Sequence, residues 1–321
     1  MALRVLLVGR VFPAAICAYA ADNGIGIING PTYPSEQELI ACIETNRPEA
    51  LILRHGRLSA GVIAAAPSIS TVVRHGVGLD AIDLEAACAA GITVCTTGLA
   101  SSNAVAEHAL ALLLGTQRAL LTHHVSMMEG DWTKTSAPLM EELRGSQVSV
   151  LGCGRVGSLL VRKLVALDAA VAVYDVRDVP VPTSVTVMPS LHEALRRASI
   201  VCITCSLNQS SRRMLDVSAI AALPPGAIIV NTARGEIVDL DAVRAALDRG
   251  HLAAYSTDVY EREPPTDGDV IRTREGPSIA TPHVAACTTA AHHAMARRCI
   301  ENLIALRDRE PLPPDCLPDS T

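Results

Sequence analysis

Residues 148–175, VSVLGCGRVGSLLVRKLVALDAAVAVYD, decide the fold. Val148 to Leu151 is a short continuous apolar run, as a strand covered on both faces of a parallel sheet must be. Gly152, Gly154 and Gly157 follow in G-x-G-x-x-G spacing. In that spacing the first glycine allows a tight bend, the second lets backbone approach a pyrophosphate, and the third lets helix pack close on strand. A helix from about Arg155 to Leu167 would aim its positive end at those phosphates. Asp175 closes the second strand, where a carboxylate can accept both ribose hydroxyls of an adenosine and repel a 2′-phosphate. The order strand, turn, helix, strand, acid therefore points to a bound dinucleotide, and to NAD over NADP.

Outside this stretch, 321 residues allow two domains with a sizeable core. Hydrophobic residues make up 49% and charged ones 19%, a globular balance. With 27 Lys and Arg against 33 Asp and Glu the net charge is −6, and no basic run stands out. That argues against nucleic acid or an anionic membrane surface and for a small metabolite. The ten cysteines form no metal-type pair of pairs. Cys202 and Cys205 are spaced C-x-x-C at the end of SIVCITC, read as a strand that sends them to opposite faces, so neither metal nor redox chemistry is expected and a reduced, cytoplasmic setting is. Residues 1–20 imitate a signal peptide, with Ala18-Tyr19-Ala20 as its cleavage site. Gly9, Arg10 and Pro13 break the apolar stretch, which favours a first β-strand at Val5 to Val8 over export. No run reaches the ~18 apolar residues of a membrane span.

Up to about Ala100, short apolar strands alternate with helical runs, which predicts a small parallel sheet. Gly24-Ile25-Gly26 is read as a loop. Arg54 and His55 end one strand and Arg74, His75, Gly76, Val77 and Gly78 end another. If these strands are neighbours, cationic side chains and glycine-freed amides line one sheet edge and suit an anionic substrate; the alternative is a solvated edge. Ser102 to Arg118 reads as an apolar helix capped by Ser and Asn, buried between two bodies, and 119–143 as a protruding arm. Beyond Asp175, strands are expected at Ile200 to Cys205, Ala227 to Val230, Ala253 to Thr257 and Ser278 to Ala280. A last helix spans about Thr288 to Arg307, followed by a loose Pro-rich tail. The fold class is thus α/β: a doubly wound parallel Rossmann domain over 103–284, and a smaller flavodoxin-like parallel domain over 1–102 completed by 285–321. A cleft between them is the expected active site.

Three polar stops follow strands of the nucleotide unit: Asn231-Thr232-Ala233-Arg234-Gly235, then Thr257-Asp258-Val259-Tyr260-Glu261-Arg262-Glu263-Pro264, then Thr281-Pro282-His283-Val284-Ala285. They supply a guanidinium, carboxylates and an imidazole, as hydride transfer at a carbinol carbon requires. Arginine can bind a carboxylate bidentately and polarise the adjacent carbonyl. Imidazole titrates near working pH and can take or return a hydroxyl proton, and an adjacent carboxylate orients it.

R-H-G-V-G-L-D (74–80), N-A-V-A-E-H-A-L (103–110), G-C-G-R-V-G with Asp175, N-T-A-R-G-E-I-V-D (231–239), D-V-Y-E-R-E-P (258–264) and T-P-H-V-A (281–285) together resemble the signatures of the NAD-dependent D-isomer-specific 2-hydroxyacid dehydrogenases, in order along nearly the whole chain. The resemblance, which suggests a phosphoglycerate or glyoxylate/hydroxypyruvate type, implies a catalytic trio. Arg234 would bind the substrate carboxylate and C2 oxygen, His283 would be acid/base, and Glu263, directly before Pro264, its partner. It implies NAD contacts from Gly152, Gly154, Arg155, Val156 and Gly157 at the pyrophosphate and from Asp175 at the ribose. Thr232, Ala233, Arg234, Asp258, His283 and Ala285 would serve the nicotinamide end. Arg54, His75, Gly76, Val77, Gly78, Arg234 and His283 would bind substrate, and a homodimer would form through 103–143. Thr204-Cys205-Ser206 replaces the usual His-x-Pro, with Cys205 kept as a cofactor contact. His55 and His75 replace small residues and are read as widening a positive rim that selects a second anionic or polar group. His108, His123, His124, His292 and His293 are read as helix-surface or packing residues. Glutamate at 263 argues against formate oxidation, the absence of lysine in 74–80 against a phosphite type, and an end at 321 against C-terminal effector domains. The alternative is a non-catalytic NAD(H) sensor like the family's corepressor branch.

Overall fold

The computed structural model describes residues 2–132, 140–266 and 277–317. The chain divides into two units, Met1–Ser101 with Cys287–Thr321, and Ser102–Ala286. The first runs β1 (Leu3–Val8), α1 (Ala14–Asp22), β2 (Ile25–Asn29), α2 (Glu36–Asn46), β3 (Ala50–Leu53), α3 (Ala60–Ala64), β4 (Thr71–Arg74), α4 (Leu84–Ala89) and β5 (Thr93–Thr96). All its strand pairs are parallel, in the order β2-β1-β3-β4-β5. This is the flavodoxin-like order. The second unit runs α5 (Ser102–Gln117), α6 (Leu120–Met128), β6 (Gln147–Leu151), α7 (Arg155–Ala166), β7 (Ala170–Tyr174), β8 (Thr186–Val187), α8 (Leu191–Leu195), β9 (Ile200–Ile203), α9 (Val217–Ala221), β10 (Ala227–Asn231), α10 (Leu240–Asp248) and β11 (Leu252–Thr257). Its parallel order, β11-β10-β9-β6-β7-β8, is that of a doubly wound dinucleotide fold. The chain then returns to the first unit as α11 (Thr289–Asp308).

Alternation explains why β1 is apolar from Val5 to Val8. Leu6 and Val8 enter one core with Leu39, Ile43 and Val62, while Val5 and Leu7 enter another with Phe12, Ile16, Ala296, Cys299, Ile300 and Leu303. Helices cover both faces there, so these four positions are all apolar, while Arg4 lies at the exposed start of the strand. Each buried leucine contributes about 1.5–3 kcal/mol. The ends of α2 are set locally: Ser35 accepts from the Glu38 amide at 3.3 Å and Glu38 accepts from the Ser35 amide at 2.8 Å, a capping box.

Several expectations need correction. Gly24-Ile25-Gly26 is no loop, because Ile25 and Gly26 begin β2 and pair with Leu3 and Arg4. The strand expected within the imitation of a signal peptide is present, by contrast, as β1 at Leu3–Val8, and α1 follows from Ala14, with Phe12, Ile16 and Ala20 in the core. Strand β9 stops at Ile203, before Cys205. Ser278 to Ala280 makes only the single bridge of Ala280 to Thr257. Side chains intercept the ladder there: the Tyr255 amide donates to Ser278 Oγ and the Ile279 amide to Ser256 Oγ. Ser102 and Asn103 do not cap α5, because a 3₁₀ turn, Gly98–Ser101, runs straight into it. The described tail is not loose: Cys316 is fully buried and Asp315 accepts from the Leu99 amide. Of the arm at 119–143, residues 133–139 lie outside the described residues, as do 318–321 of the tail. No helix among the described residues is long and apolar enough to cross a membrane.

Candidate active site

At the end of β6 the chain turns through Gly152 at φ +93°, and a Cβ there would lie 2.5 Å from Cys205 Cα. A Cβ on Gly157 would lie 2.0 Å from Gly152 O, so the third glycine is what lets α7 sit on the turn. Gly154 differs: a Cβ would meet only Arg177 Nη2, at 3.6 Å. Gly154 is also the N-cap of α7 and offers no capping side chain. The amide end of α7 is thus left as an anion cradle. Asp175 fastens the turn, accepting from the Cys153 amide at 2.8 Å and from Arg177 through its amide (3.0 Å) and Nε (3.3 Å). Burial opposes its ionisation, but these bonds together hold the carboxyl below its ordinary value. Cys202 packs in the core shared with α5 and α7 and Cys205 against the opposite one. Burial raises both thiols, to about 12 and about 11, which favours the thiol over the thiolate at neutral pH.

The turn after β10 is built by Asn231, whose Oδ1 accepts from the Ala233 amide and whose Nδ2 donates to Arg234 O. Gly235 lets this turn sit on the segment after β11, since a Cβ there would lie 2.1 Å from Tyr260 C. Arg234 is half-buried, with Nη1 donating to Ala233 O at 2.6 Å. Thr232 Oγ1 is buried without a partner.

His283 and Glu263 meet: Nδ1 and Oε2 are 2.6 Å apart, on side chains that are 46% and 37% exposed. A carboxylate only accepts, so Nδ1 carries the proton and Nε2 remains for exchange. Glu263 is itself held by the Tyr260 amide at 3.2 Å. His283 adopts φ +51°, uncommon for a side-chain-bearing residue, and Asp258 imposes it. Asp258 O accepts from the His283 amide. Its Oδ1 takes Thr281 Oγ1 (2.6 Å) and the Val284 amide (2.9 Å), and its Oδ2 takes the Ala285 amide (2.8 Å). His108 Nε2 lies 3.0 Å from Thr281 Oγ1 and 3.5 Å from Asp258 Oδ1. The Asp258 side chain is 1% exposed. Burial works against its charge, yet the bonds from His108, Thr281, Val284 and Ala285 outweigh that and keep its pKa low. Asp258, read from sequence as a nicotinamide contact, is therefore first the clamp of the loop that carries His283. Tyr260 donates to Thr281 O, and burial, with Asp258 next, raises its phenol to about 12.

In the first unit β3 and β4 are indeed neighbours, Leu53 beside Arg74. Arg74 is spent on backbone, donating to Gly78 O, Leu53 O and Arg54 O. Gly76, at φ +139°, is pinned by Thr97, whose Oγ1 accepts from the Gly76 amide. Val77 is exposed. The expected positive rim needs correction: His75 is 5% exposed, and burial, then Arg54, then His292 push its pKa down to about 3. It is neutral, because no solvent reaches it to support a charge. His55 instead stacks on Tyr33, with ring centroids 4.3 Å apart.

Residues 110–285 match the family model described as D-isomer specific 2-hydroxyacid dehydrogenase, NAD binding domain. The chain belongs to this family. It is 33% identical over 290 residues to the D-3-phosphoglycerate dehydrogenase of Mycobacterium tuberculosis, covering 89% of this chain and 53% of that one. It thus spans about half the length of the curated phosphoglycerate dehydrogenases it matches. It is 30% identical to the glyoxylate reductase of Thermofilum pendens, over 88% of this chain and 84% of that one. A solved Thermus thermophilus protein superposes with a TM-score of 0.85 at 29% identity, over 96% and 98% of the two chains.

The second unit is the family's NAD-binding domain, and its residues fit the cofactor: an open Gly154, an uncapped α7 and a low-pKa Asp175. Charged hydrogen bonds are worth about 1.5–3 kcal/mol. Asp175→Asn is therefore expected to weaken NADH by roughly 10- to 100-fold and NADPH little, read by fluorescence titration. Equal loss for both cofactors would place the effect in the turn rather than the ribose. Sequence reasoning missed Arg177 beside Asp175 and dismissed His108. The available signals were the basic residue two places after the acid, and a histidine within an otherwise apolar helix.

Proposed function

We propose that this chain interconverts a D-2-hydroxy acid and its 2-oxo acid with NAD(H). The observation that carries the reading is the 2.6 Å pairing of His283 Nδ1 with Glu263 Oε2, which leaves Nε2 to work on a hydroxyl proton. In oxidation Nε2 takes the C2-hydroxyl proton; in reduction it returns one to the C2 oxygen. Glu263 fixes the ring and stabilises the imidazolium formed. Arg234 binds the substrate carboxylate and C2 oxygen, polarising that bond. Bound NAD(H) supplies the acceptor or donor of hydride at C2. We assign Gly152, Gly154, Arg155, Val156 and Gly157 to the pyrophosphate, Asp175 and Cys205 to the adenosine end, and Thr232, Ala233, Asp258 and Ala285 to the nicotinamide end. Arg54, Gly76, Val77 and Gly78 are assigned to substrate.

We further propose a homodimer through the 103–143 region. Leu120, Leu121, Val125, Met127, Met128 and Trp132 expose an apolar face there, larger than an isolated surface residue needs explaining.

NADH oxidation against glyoxylate, hydroxypyruvate, pyruvate, 2-oxoglutarate and phosphohydroxypyruvate tests the activity. At least one is expected to reach a kcat/KM of about 10⁴ M⁻¹ s⁻¹ or more. Tight NADH binding with no turnover on any of them would replace the enzyme reading with the sensor.

A further inference from the structure

The carboxylate of Asp175 is largely spoken for. A carboxylate offers about four lone-pair sites. Three donors already meet this one: the Cys153 amide on Oδ2 at 2.8 Å, and the Arg177 amide and Nε on Oδ1 at 3.0 and 3.3 Å. The side chain is only 6% exposed. While Arg177 stays in place, room remains for about one ribose hydroxyl rather than two. The charge is answered as well, because Arg177 is the one cation within ion-pair distance of Asp175 among the described residues. An acid excludes a 2′-phosphate by like-charge repulsion, and a guanidinium held against that acid counters the repulsion.

Arg177 is itself placed to meet an anion. Its side chain is 64% exposed. Nε is spent on Asp175, whereas no acceptor among the described residues takes Nη1 or Nη2. Nη2 is the sole atom within 4 Å that a Cβ on Gly154 would meet, at 3.6 Å. The guanidinium therefore reaches from the ribose acid to the open second glycine of the turn. Asp175 orients it through the Nε edge and leaves the two Nη groups, a fork that suits a phosphate. A ribose whose 2′-hydroxyl faces Asp175 would carry any 2′-substituent against this fork. An acid alone at this position predicts exclusion of NADP; the acid and arginine together predict acceptance.

We propose that Arg177 is a specificity-determining residue of the cofactor site that takes the 2′-phosphate of the adenosine, so that the chain binds NADP(H) as well as NAD(H). Asp175 then has two uses. It accepts from a free 2′-hydroxyl, and it steadies the guanidinium when a phosphate stands there instead. The proposal concerns cofactor binding to the second unit and does not depend on which acid, if any, is turned over.

Calorimetric titration of NADH and of NADPH tests it. In the unaltered protein NADPH is expected to bind within tenfold of NADH, and a wider gap in favour of NADH overturns the proposal. Arg177→Gln should weaken NADPH by about tenfold or more, the loss of a charged hydrogen bond, while NADH stays within threefold. Arg177→Lys keeps the charge without the fork, so its NADPH affinity should lie between those of the unaltered protein and the glutamine variant. Added salt should weaken NADPH more than NADH, because only NADPH carries the extra exposed charge pair. Equal loss of both cofactors in Arg177→Gln would mean that the arginine merely braces the turn, and unchanged NADPH binding would mean that the phosphate never reaches it. Either result overturns the proposal. Retained NADH binding shows that each variant is folded. No arm requires turnover, so inactivity on every 2-oxo acid would remove the dehydrogenase reading and leave this comparison intact.

Discussion

His283→Asn is expected to lower kcat/KM by about 10²–10⁴-fold, the range that a positioned acid/base contributes. Asparagine is the apt replacement because it tolerates the positive φ at this position, so the loss reports chemistry rather than backbone strain. Glu263→Gln removes the charged acceptor at 2.6 Å but leaves the imidazole, so a smaller loss is expected. The double variant should fall little below His283→Asn alone, since two residues acting as one unit are not additive. Steady-state rates with the best 2-oxo acid decide it. Activity of His283→Asn within threefold of wild type would remove the imidazole from the reaction.

Asp258→Ala is expected to cost about 3–5 kcal/mol of stability, the penalty for stripping a buried charge from its partners. The Thr281 hydroxyl and the Val284 and Ala285 amides would be left without an acceptor, and His108 without an anion. Linkage sets the pH window. The carboxyl is held below the ordinary aspartate value near 3.9, so its contribution is complete above that pH and fades as pH falls through the lower folded value. Urea unfolding should therefore show a deficit that is full at neutral pH and shrinks in acid. A deficit independent of pH would mean that the charge is not what the loop depends on.

Much of this was legible because the signals are local. Glycine spacing fixed the turn at 152–157, and β-branched and leucine runs fixed β1, β3 and β6; the choice of Glu263 over the nearby Glu261 came instead from the family resemblance, whose acid directly precedes a proline. Where reading failed, a distant partner decided. Ile25 and Gly26 form a strand because β1 lies alongside, and nothing within GIG announces that. His75 follows Arg74 in sequence, which reads as part of a cationic rim, yet Phe12 and His292 pack against it and burial makes it neutral. Asp258 was visible as a carboxylate after a strand. That its oxygens are taken by a loop more than twenty residues on is a tertiary fact.

The return of α11 to the first sheet bears on synthesis. Val5, Leu7, Val73 and Cys95 share their core with Ala296, Cys299, Ile300 and Leu303. While the ribosome is still translating the middle of the message, that side of the sheet lacks one of its covering helices. The intervening unit, continuous from 102 to 286, has all its strands before residues 289–308 are made. The nascent chain therefore completes its later-made half before its earlier-made one, and an apolar surface waits for chaperones or for residues 289–308 to emerge.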